Sequence, residues 1–236
     1  MATGHMIKPF DEELDTLRGT VCEMGGIAEQ AIIDAMAALV RGDLDAAAKV
    51  VERDRRIDAL ETEIETRVVE IIAFRSPTPD ELREVVAALK IAGVVERIGD
   101  YAKNIAKRVA GIEDSHVRPV SLLPEMARIA SEMVHNVLDA FAARDPEKAR
   151  RVRDRDVAVD DFYNSIFRAL LTHMMENPHN ITPATHLLFV AKNLERIGDH
   201  ATNVAEMVYF AATGEHLADR VKGADTTVIG TGDLDG

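Results

Sequence analysis

The feature that most constrains the fold is an internal repetition. Residues 96–106 read ERIGDYAKNIA and residues 195–205 read ERIGDHATNVA, so the two copies begin 99 residues apart. Upstream, further positions recur at an offset of 102: Val50, Glu52, Arg53, Asp54, Ile57, Asp58 and Ile64 match Val152, Asp154, Arg155, Asp156, Val159, Asp160 and Ile166. Repetition over this length predicts two copies of one supersecondary unit.

Segments rich in Ala, Leu, Glu and Arg fill the chain between clusters of turn residues, which is typical of helices joined by short loops. We predict helices over 10–41, 44–74, 80–110, 121–143, 146–176 and 184–212. The third has the clearest start, because Thr78, Pro79 and Glu81 supply a cap, a first-turn proline and a capping-box acid. The fold class is therefore all-α.

Three amphipathic helices are enough to enclose a small core, so the repetition predicts two tandem three-helix bundles. We expect the first bundle over residues 8–113 and the second over 118–214. Residues 215–236 are rich in Gly, Asp and Thr without apolar periodicity, and we expect a flexible tail there.

The charge of the chain excludes some functions. It has 41 acidic and 28 basic residues and a net charge of −13, a field that repels nucleic acid and free phosphate. The single cysteine, Cys22, fits a reducing compartment, and no apolar stretch approaches the roughly 20 residues of a membrane span. We expect a cytoplasmic protein that does not bind DNA.

Acidic side chains recur at matched places in the two copies. The recurrent polar positions are Asp54, Asp58, Glu96, Asp100 and Asn104 in the first copy and Asp156, Asp160, Glu195, Asp199 and Asn203 in the second. At 100° per residue, Glu96, Asp100 and Asn104 lie opposite the apolar stripe of the third helix. Asp54 and Asp58 flank the apolar stripe of the second helix. We therefore expect these acids at the bundle surface or at the rim of the core.

Metal binding is the leading explanation for the recurrent acids. Each pair of like charges four residues apart destabilises a helix by about 0.2 to 0.5 kcal/mol. Two acidic helices side by side could surround a hard cation with six or more oxygen ligands. Such ligands favour Mg, Mn, Ca or Fe over a structural zinc site, although zinc can bind carboxylates. The alternative is a solvated face of ion pairs, with Lys103 and Lys107 near Asp100.

Other candidate ligands carry weaker signals. Glu132 and His135 have the ExxH spacing of a di-iron ligand pair, but the first copy has Gln30 and Ile33 there, so chance is the better interpretation. His200 could add a nitrogen ligand beside Asp199, although Tyr101 replaces it in the first copy.

Two helical glycines, Gly99 and Gly198, each cost about 1 kcal/mol relative to alanine, which predicts close helix packing. The sequence contains no phosphate-binding loop and no nucleophile, base and acid arrangement, so we expect no enzymatic activity.

The doubled ERIGDxAxN[IV]A, the DxxxD upstream of each copy, FDEEL at 10–14 and NPHNITPATHLL at 177–188 resemble the PhoU family of phosphate-uptake regulators. The resemblance covers about residues 8–215. It implies two tandem three-helix bundles that hold metal ions (Fe, Mn, Mg or Zn) on their surface at the ten recurrent polar positions.

The resemblance also implies a role. The chain would be a non-catalytic, homodimeric adaptor that represses phosphate uptake and phosphate-starvation signalling. Its partners would be the ATPase subunit of the phosphate-specific ABC transporter and a membrane sensor histidine kinase, and it would reach the membrane only through them. Because the acidic surface has no phosphate cradle, we hypothesise that it reads the conformation of its partners rather than phosphate itself. The alternative is a carboxylate-metal bundle with an oxidase or metal-storage role, which would need buried ligands.

Overall fold

A computed structural model describes residues 10–112 and 121–217. The helices are α1 (Phe10–Arg41), α2 (Leu44–Arg75), α3 (Pro79–Ala106), α4 (Leu122–Ala143), α5 (Pro146–Glu176) and α6 (Ile181–Thr213). The 3-10 turns Val109–Gly111 and Pro178–Asn180 follow α3 and precede α6. The all-α prediction of two tandem three-helix bundles is confirmed. The expected linker after residue 113 and most of the expected tail over 215–236 lie outside the described residues.

Capping residues set the helix starts. Asp43 and Asp145 occupy equivalent positions, and each carboxylate accepts a backbone hydrogen bond of 2.9 Å at the first turn of α2 or α5. At the start of α3 the backbone N–H of Thr78 donates to the Glu81 carboxylate at 2.7 Å, which confirms the predicted capping box.

Two helix boundaries differ from the prediction. The third helix ends at Ala106 rather than at residue 110, because the N–H of Arg108 bonds the carbonyl of Ile105 and the backbone tightens into a 3-10 turn. The sixth helix begins at Ile181 rather than at residue 184. Pro183 fits within its first turn, where a backbone N–H has no helical partner.

The buried apolar residues of the two bundles form one continuous core. Along α3 the predicted stripe is buried at every position: Ile91, Val95, Ile98, Ala102, Ile105 and Val109. On α2 the facing residues Ile57, Leu60 and Ile64 are at most 1% exposed. Full burial of each large aliphatic side chain contributes about 1.5 to 3 kcal/mol, so this stripe fixes how α2 lies on α3.

A pseudo-two-fold axis relates the two bundles. α1 packs on α4 and α3 packs on α6. Gly111, just after α3, lies against His186 near the start of α6, whereas Gly214, just after α6, lies against Arg83 near the start of α3, so these two helices run antiparallel. Among the described residues, no helix is long and apolar enough to cross a membrane.

The two helical glycines permit close helix approaches, as predicted. A Cβ at Gly99 would lie 2.6 Å from Cδ1 of Ile57 on α2. A Cβ at Gly198 would lie 3.2 Å from Cγ1 of Val159 on α5. Any larger side chain would have to push the neighbouring helix away.

We predict that Gly198→Val lowers the free energy of unfolding by about 2 kcal/mol, because the added methyl groups overpack the contact with Val159. Gly19 is the matched control, since it is exposed and a Cβ there meets nothing within 4 Å. Gly19→Val should change stability by less than about 0.5 kcal/mol. Urea unfolding monitored by circular dichroism measures both, and equal effects would contradict the close-packing interpretation.

Candidate metal sites between paired helices

Acids from α2 and α3 share one region in the first repeat. We name Asp54, Asp58, Glu61, Glu96 and Asp100 the first acidic cluster. Burial raises the pKa of Glu96, and Asp100, Glu61, Asp58 and Asp54 raise it further. Burial likewise raises the pKa of Glu61, with Glu65 and Asp58 adding to the effect and Arg97 opposing it. Four sequence-predicted candidates are therefore brought together across two helices.

Two of the candidate acids lie deeper than predicted. Asp54 is 7% exposed and Asp156 only 1% exposed, so the expectation that both sit at the rim of the core is wrong. The cause is the absent side chain of the facing glycine. A Cβ at Gly99 would lie 3.4 Å from Oδ1 of Asp54, and a Cβ at Gly198 would lie 3.0 Å from Oδ1 of Asp156. Asp58 is exposed and the side chain of Asp100 is 42% exposed, so these two acids lie at the bundle surface as expected.

A lysine neutralises part of the first acidic cluster. The ammonium of Lys103 forms ion pairs with Asp54 on α2 and with Asp100 on its own helix. Burial by itself would lower the pKa of Lys103, but its hydrogen bonds to Asp100 and Asp54 raise that pKa well above its usual value. The predicted pair with Asp100 is confirmed, and the link to Asp54 joins the two helices.

We name the equivalent acids of the second repeat, Asp156, Asp160, Glu195 and Asp199, the second acidic cluster, and its Glu195 pairs with a different lysine. The position of Lys103 is Thr202 in this repeat. Lys192 donates instead to Glu195, at 2.8 Å, and its ammonium lies 5.1 Å from the centre of the Tyr163 ring. Because Tyr163 replaces Glu61 of the first repeat, the second cluster has fewer acids and a more apolar border.

Equivalent residues of the two repeats meet at the pseudo-two-fold axis. The rings of Tyr101 and His200 stack with centroids 5.3 Å apart, and the Tyr101 hydroxyl lies 3.1 Å from Nε2 of His200. Nδ1 of His200 lies 3.4 Å from the amide nitrogen of Asn203. Burial, Arg97 and Arg196 lower the pKa of His200, whereas Asp199 raises it. Both ring nitrogens are engaged, which favours a packing role over the suggested nitrogen ligand.

The other candidate ligands are Glu132 and His135 on α4 and Asn104 on α3. Glu132 pairs with Arg128, and Nδ1 of His135 lies 3.1 Å from Glu29, so the ExxH residues take separate partners. Asn104 follows Asp100 by one turn of α3 and is half-buried.

The clusters fit cations by their chemistry but not by their present side-chain positions. Their donors are carboxylate and amide oxygens, the ligands of hard cations. Within residues 10–112 and 121–217, however, no three His, Cys, Asp or Glu side chains are arranged to hold a metal ion. Lys103 in the first cluster and Lys192 in the second supply the positive charge. A cation would have to displace these lysines or bind beside them.

Sequence reasoning missed two cross-helix contacts. The sequence predicts an ion pair of Lys103 with Asp100 on its own helix, but the side chain of Lys103 also reaches Asp54 on α2. The stacking of Tyr101 on His200 could have been found from the repeat, because equivalent positions near a pseudo-two-fold axis approach each other.

Comparison with known proteins places this architecture in one family. The model of the PhoU domain matches residues 21–109 and 123–208. A phosphate-specific transport system accessory protein PhoU homolog from Zymomonas mobilis is 54% identical over 94% of each chain. A homolog of the same name from Rhizobium meliloti is 46% identical over 98% of this chain and 99% of the relative.

Solved structures agree with the fold. The crystal structure of PhoU from Pseudomonas aeruginosa has a TM-score of 0.84 at 35% identity, over 88% of this chain and all of that chain. The phosphate transport system regulatory protein PhoU from Streptococcus pneumoniae has a TM-score of 0.83 at 25% identity, over 89% of this chain and all of that chain.

We predict that Lys103→Met lowers the free energy of unfolding by about 2 kcal/mol or more, because the buried carboxylate of Asp54 loses its cation. Lys107→Met is the matched control, since Lys107 is an exposed lysine one turn further along the chain, and its effect should stay within about 0.5 kcal/mol. Urea unfolding in a chelating buffer measures both. A Lys103→Met protein as stable as the control would contradict the proposed neutralisation.

We predict that Glu96→Gln stabilises the metal-free protein at neutral pH, by about 0.5 kcal/mol. A raised folded-state pKa means that ionisation of Glu96 weakens folding as the pH rises. The gain should therefore be present above the folded pKa and disappear at pH values below the unfolded pKa near 4.3. Thermal unfolding from pH 4 to pH 8 tests this, and a gain that does not depend on pH would rule out charge repulsion.

Proposed function

This chain belongs to the PhoU family, and on that premise we propose that it is a non-catalytic negative regulator of phosphate uptake and phosphate-starvation signalling. The observation that carries the proposal is the near full-length match to phosphate-specific transport system accessory proteins. The duplicated acidic clusters between paired helices give the proposal a physical site.

We propose that the protein acts in the cytoplasm as an adaptor between the transporter's ATPase subunit and a sensor histidine kinase. Two bundles related by a pseudo-two-fold axis support this role, because they present similar but unequal surfaces, one for each partner. A homodimer is the proposed working assembly. Exposed apolar side chains near the ends of α2 and α5, such as Phe74 at 81% and Met175 at 80% exposure, supply surface for protein contacts.

We propose that each acidic cluster binds metal ions such as Fe, Mn, Mg or Zn. The first would use Asp54, Asp58, Glu96 and Asp100 with Asn104, and the second Asp156, Asp160, Glu195 and Asp199 with Asn203. The raised pKa of Glu96 supports this, since burial and four neighbouring carboxylates create a negative potential that a cation would relieve. Thr202 stands where Lys103 competes in the first cluster, so a cation in the second cluster would compete with Lys192 instead.

The metal proposal predicts that the effect of Glu96→Gln on stability depends on whether metal is present. Glu96→Gln should stabilise the protein in a chelating buffer but reduce the stabilisation gained from added Mn²⁺, because a ligand is lost. Glu12→Gln is the control, since Glu12 is an exposed acid in the first turn of α1. Thermal unfolding with and without Mn²⁺ gives the comparison. If Mn²⁺ stabilises the wild type and Glu96→Gln equally, the first cluster is not a metal site.

The adaptor proposal predicts that Asp156→Asn with Asp160→Asn relieves repression of phosphate uptake in phosphate-replete cells, while the protein still accumulates. Phosphate uptake and co-purification of the transporter's ATPase are the measurements. Oxygen consumption by the metal-loaded protein, or storage of many metal ions per chain, would favour the oxidase or storage alternative. Tight binding of phosphate by the metal-free protein in calorimetry would contradict the idea that it reads partner conformation.

A further inference from the structure

A cationic groove lies in the second repeat outside its acidic cluster. It runs between α4 and α5 and has a volume of about 410 Å³. Its lining contains one acid and three cations: Glu132, Met133, Asn136, Lys148, Arg151, Val152 and Arg155. Met133 and Val152 are buried and form an apolar floor, and the three cations line one wall. The groove is notable because the chain as a whole has a net charge of −13.

The three cations of the groove follow one another along one face of α5. Lys148, Arg151 and Arg155 are spaced at i, i+3 and i+7, which places them on one face over about 10 Å of helix. Lys148 pairs with Asp139 at 2.8 Å. Among the described residues Arg151 has no ion pair, so its guanidinium is available to a ligand.

Arg155 is also poorly neutralised. Its guanidinium lies 3.9 Å from Glu132, and that carboxylate is held more closely by Arg128. The wall of the groove therefore keeps two guanidinium groups, those of Arg151 and Arg155, whose charge the protein compensates weakly.

The first repeat provides an internal control. Its equivalent groove lies between α1 and α2 and includes Val50, Arg53 and Arg56. There Arg53 pairs with Asp34 at 2.6 Å and Arg56 pairs with Glu23 at 2.7 Å. The position of Asp34 is Asn136 in the second repeat, so the acid that neutralises Arg53 has no counterpart beside Arg155. Of these two grooves, the second is the one whose arginines lack a close acidic partner and can therefore bind an anion from outside the chain.

We propose that the α4–α5 groove docks an acidic segment of a partner protein. Carboxylates of that segment would pair with Arg151 and Arg155, whose planar guanidinium groups bind carboxylates in bidentate fashion. Its apolar side chains would contact Met133 and Val152. The proposal rests on the adaptor function, since it assigns one partner-binding surface.

The arrangement favours an acidic segment over a single small anion. A tetrahedral anion is bound best by donors that converge on one point, whereas these cations are spread along about two turns of α5. The negative charge elsewhere on the protein is screened beyond about 8 Å at physiological ionic strength, so the local cations decide binding at the groove.

The test uses the full-length protein and a fluorescein-labelled amphipathic peptide of Glu, Leu and Ala, followed by fluorescence anisotropy. The same peptide with Gln in place of Glu is the ligand control. Arg151→Glu with Arg155→Glu should weaken binding by about tenfold or more. Asn136→Asp restores the acid found in the first repeat and should weaken binding by about threefold to fivefold. Lys49→Glu with Arg53→Glu, the equivalent change in the first repeat, should leave binding unchanged.

Several outcomes would overturn the proposal. These are no measurable binding of the Glu peptide, equal binding of the Gln peptide, or equal loss in the α2 and α5 double variants. Displacement of the peptide by inorganic phosphate, but not by chloride at matched ionic strength, would assign the groove to a small anion instead. Failure of the adaptor function gives a different result, in which the peptide still binds but the transporter's ATPase does not co-purify with the wild-type protein.

Discussion

The structure depends on the close approach of α2 to α3 and of α5 to α6. Gly99 and Gly198 have no side chain at these crossings, and the space is taken by Ile57 and the Asp54 carboxylate at the first and by Val159 and the Asp156 carboxylate at the second. A carboxylate buried between helices destabilises the fold unless a positive charge or hydrogen bonds compensate it. The chain therefore has to bring cations to these crossings. Lys103 does so at the first one, where burial and four neighbouring carboxylates raise the pKa of Glu96.

The two repeats keep one scaffold but balance its charges differently. Lys103 crosses from α3 to Asp54 in the first, whereas Thr202 stands at that position in the second. In the groove between the first two helices of each repeat, Asp34 neutralises Arg53 in the first repeat, and Asn136 leaves Arg155 weakly paired in the second. The same helices thus present an acidic face and a cationic groove, and the second repeat is less neutralised in its groove. This asymmetry is what the proposed adaptor role requires, since that role assigns the chain two different partners.

Most of the fold was predictable because helix periodicity and the internal repeat are properties of the sequence. The depth of Asp54 and Asp156 was not, since a helical wheel ranks positions by angle and does not show where a glycine lets the neighbouring helix come close. The bridge from Lys103 to Asp54 joins residues 49 positions apart and depends on the packing of α2 against α3. The early start of α6 was obscured by Pro183, which is tolerated only in a first turn.

The central claim is that the acidic clusters at the two helix crossings bind cations. The most direct measurement is an anomalous diffraction map from crystals grown with Mn²⁺ and collected near the manganese absorption edge. The account predicts peaks within ligand distance, about 2.2 Å, of carboxylate oxygens in both acidic clusters. Peaks found only at other surface carboxylates, with both clusters empty and Lys103 and Lys192 still in place, would contradict it.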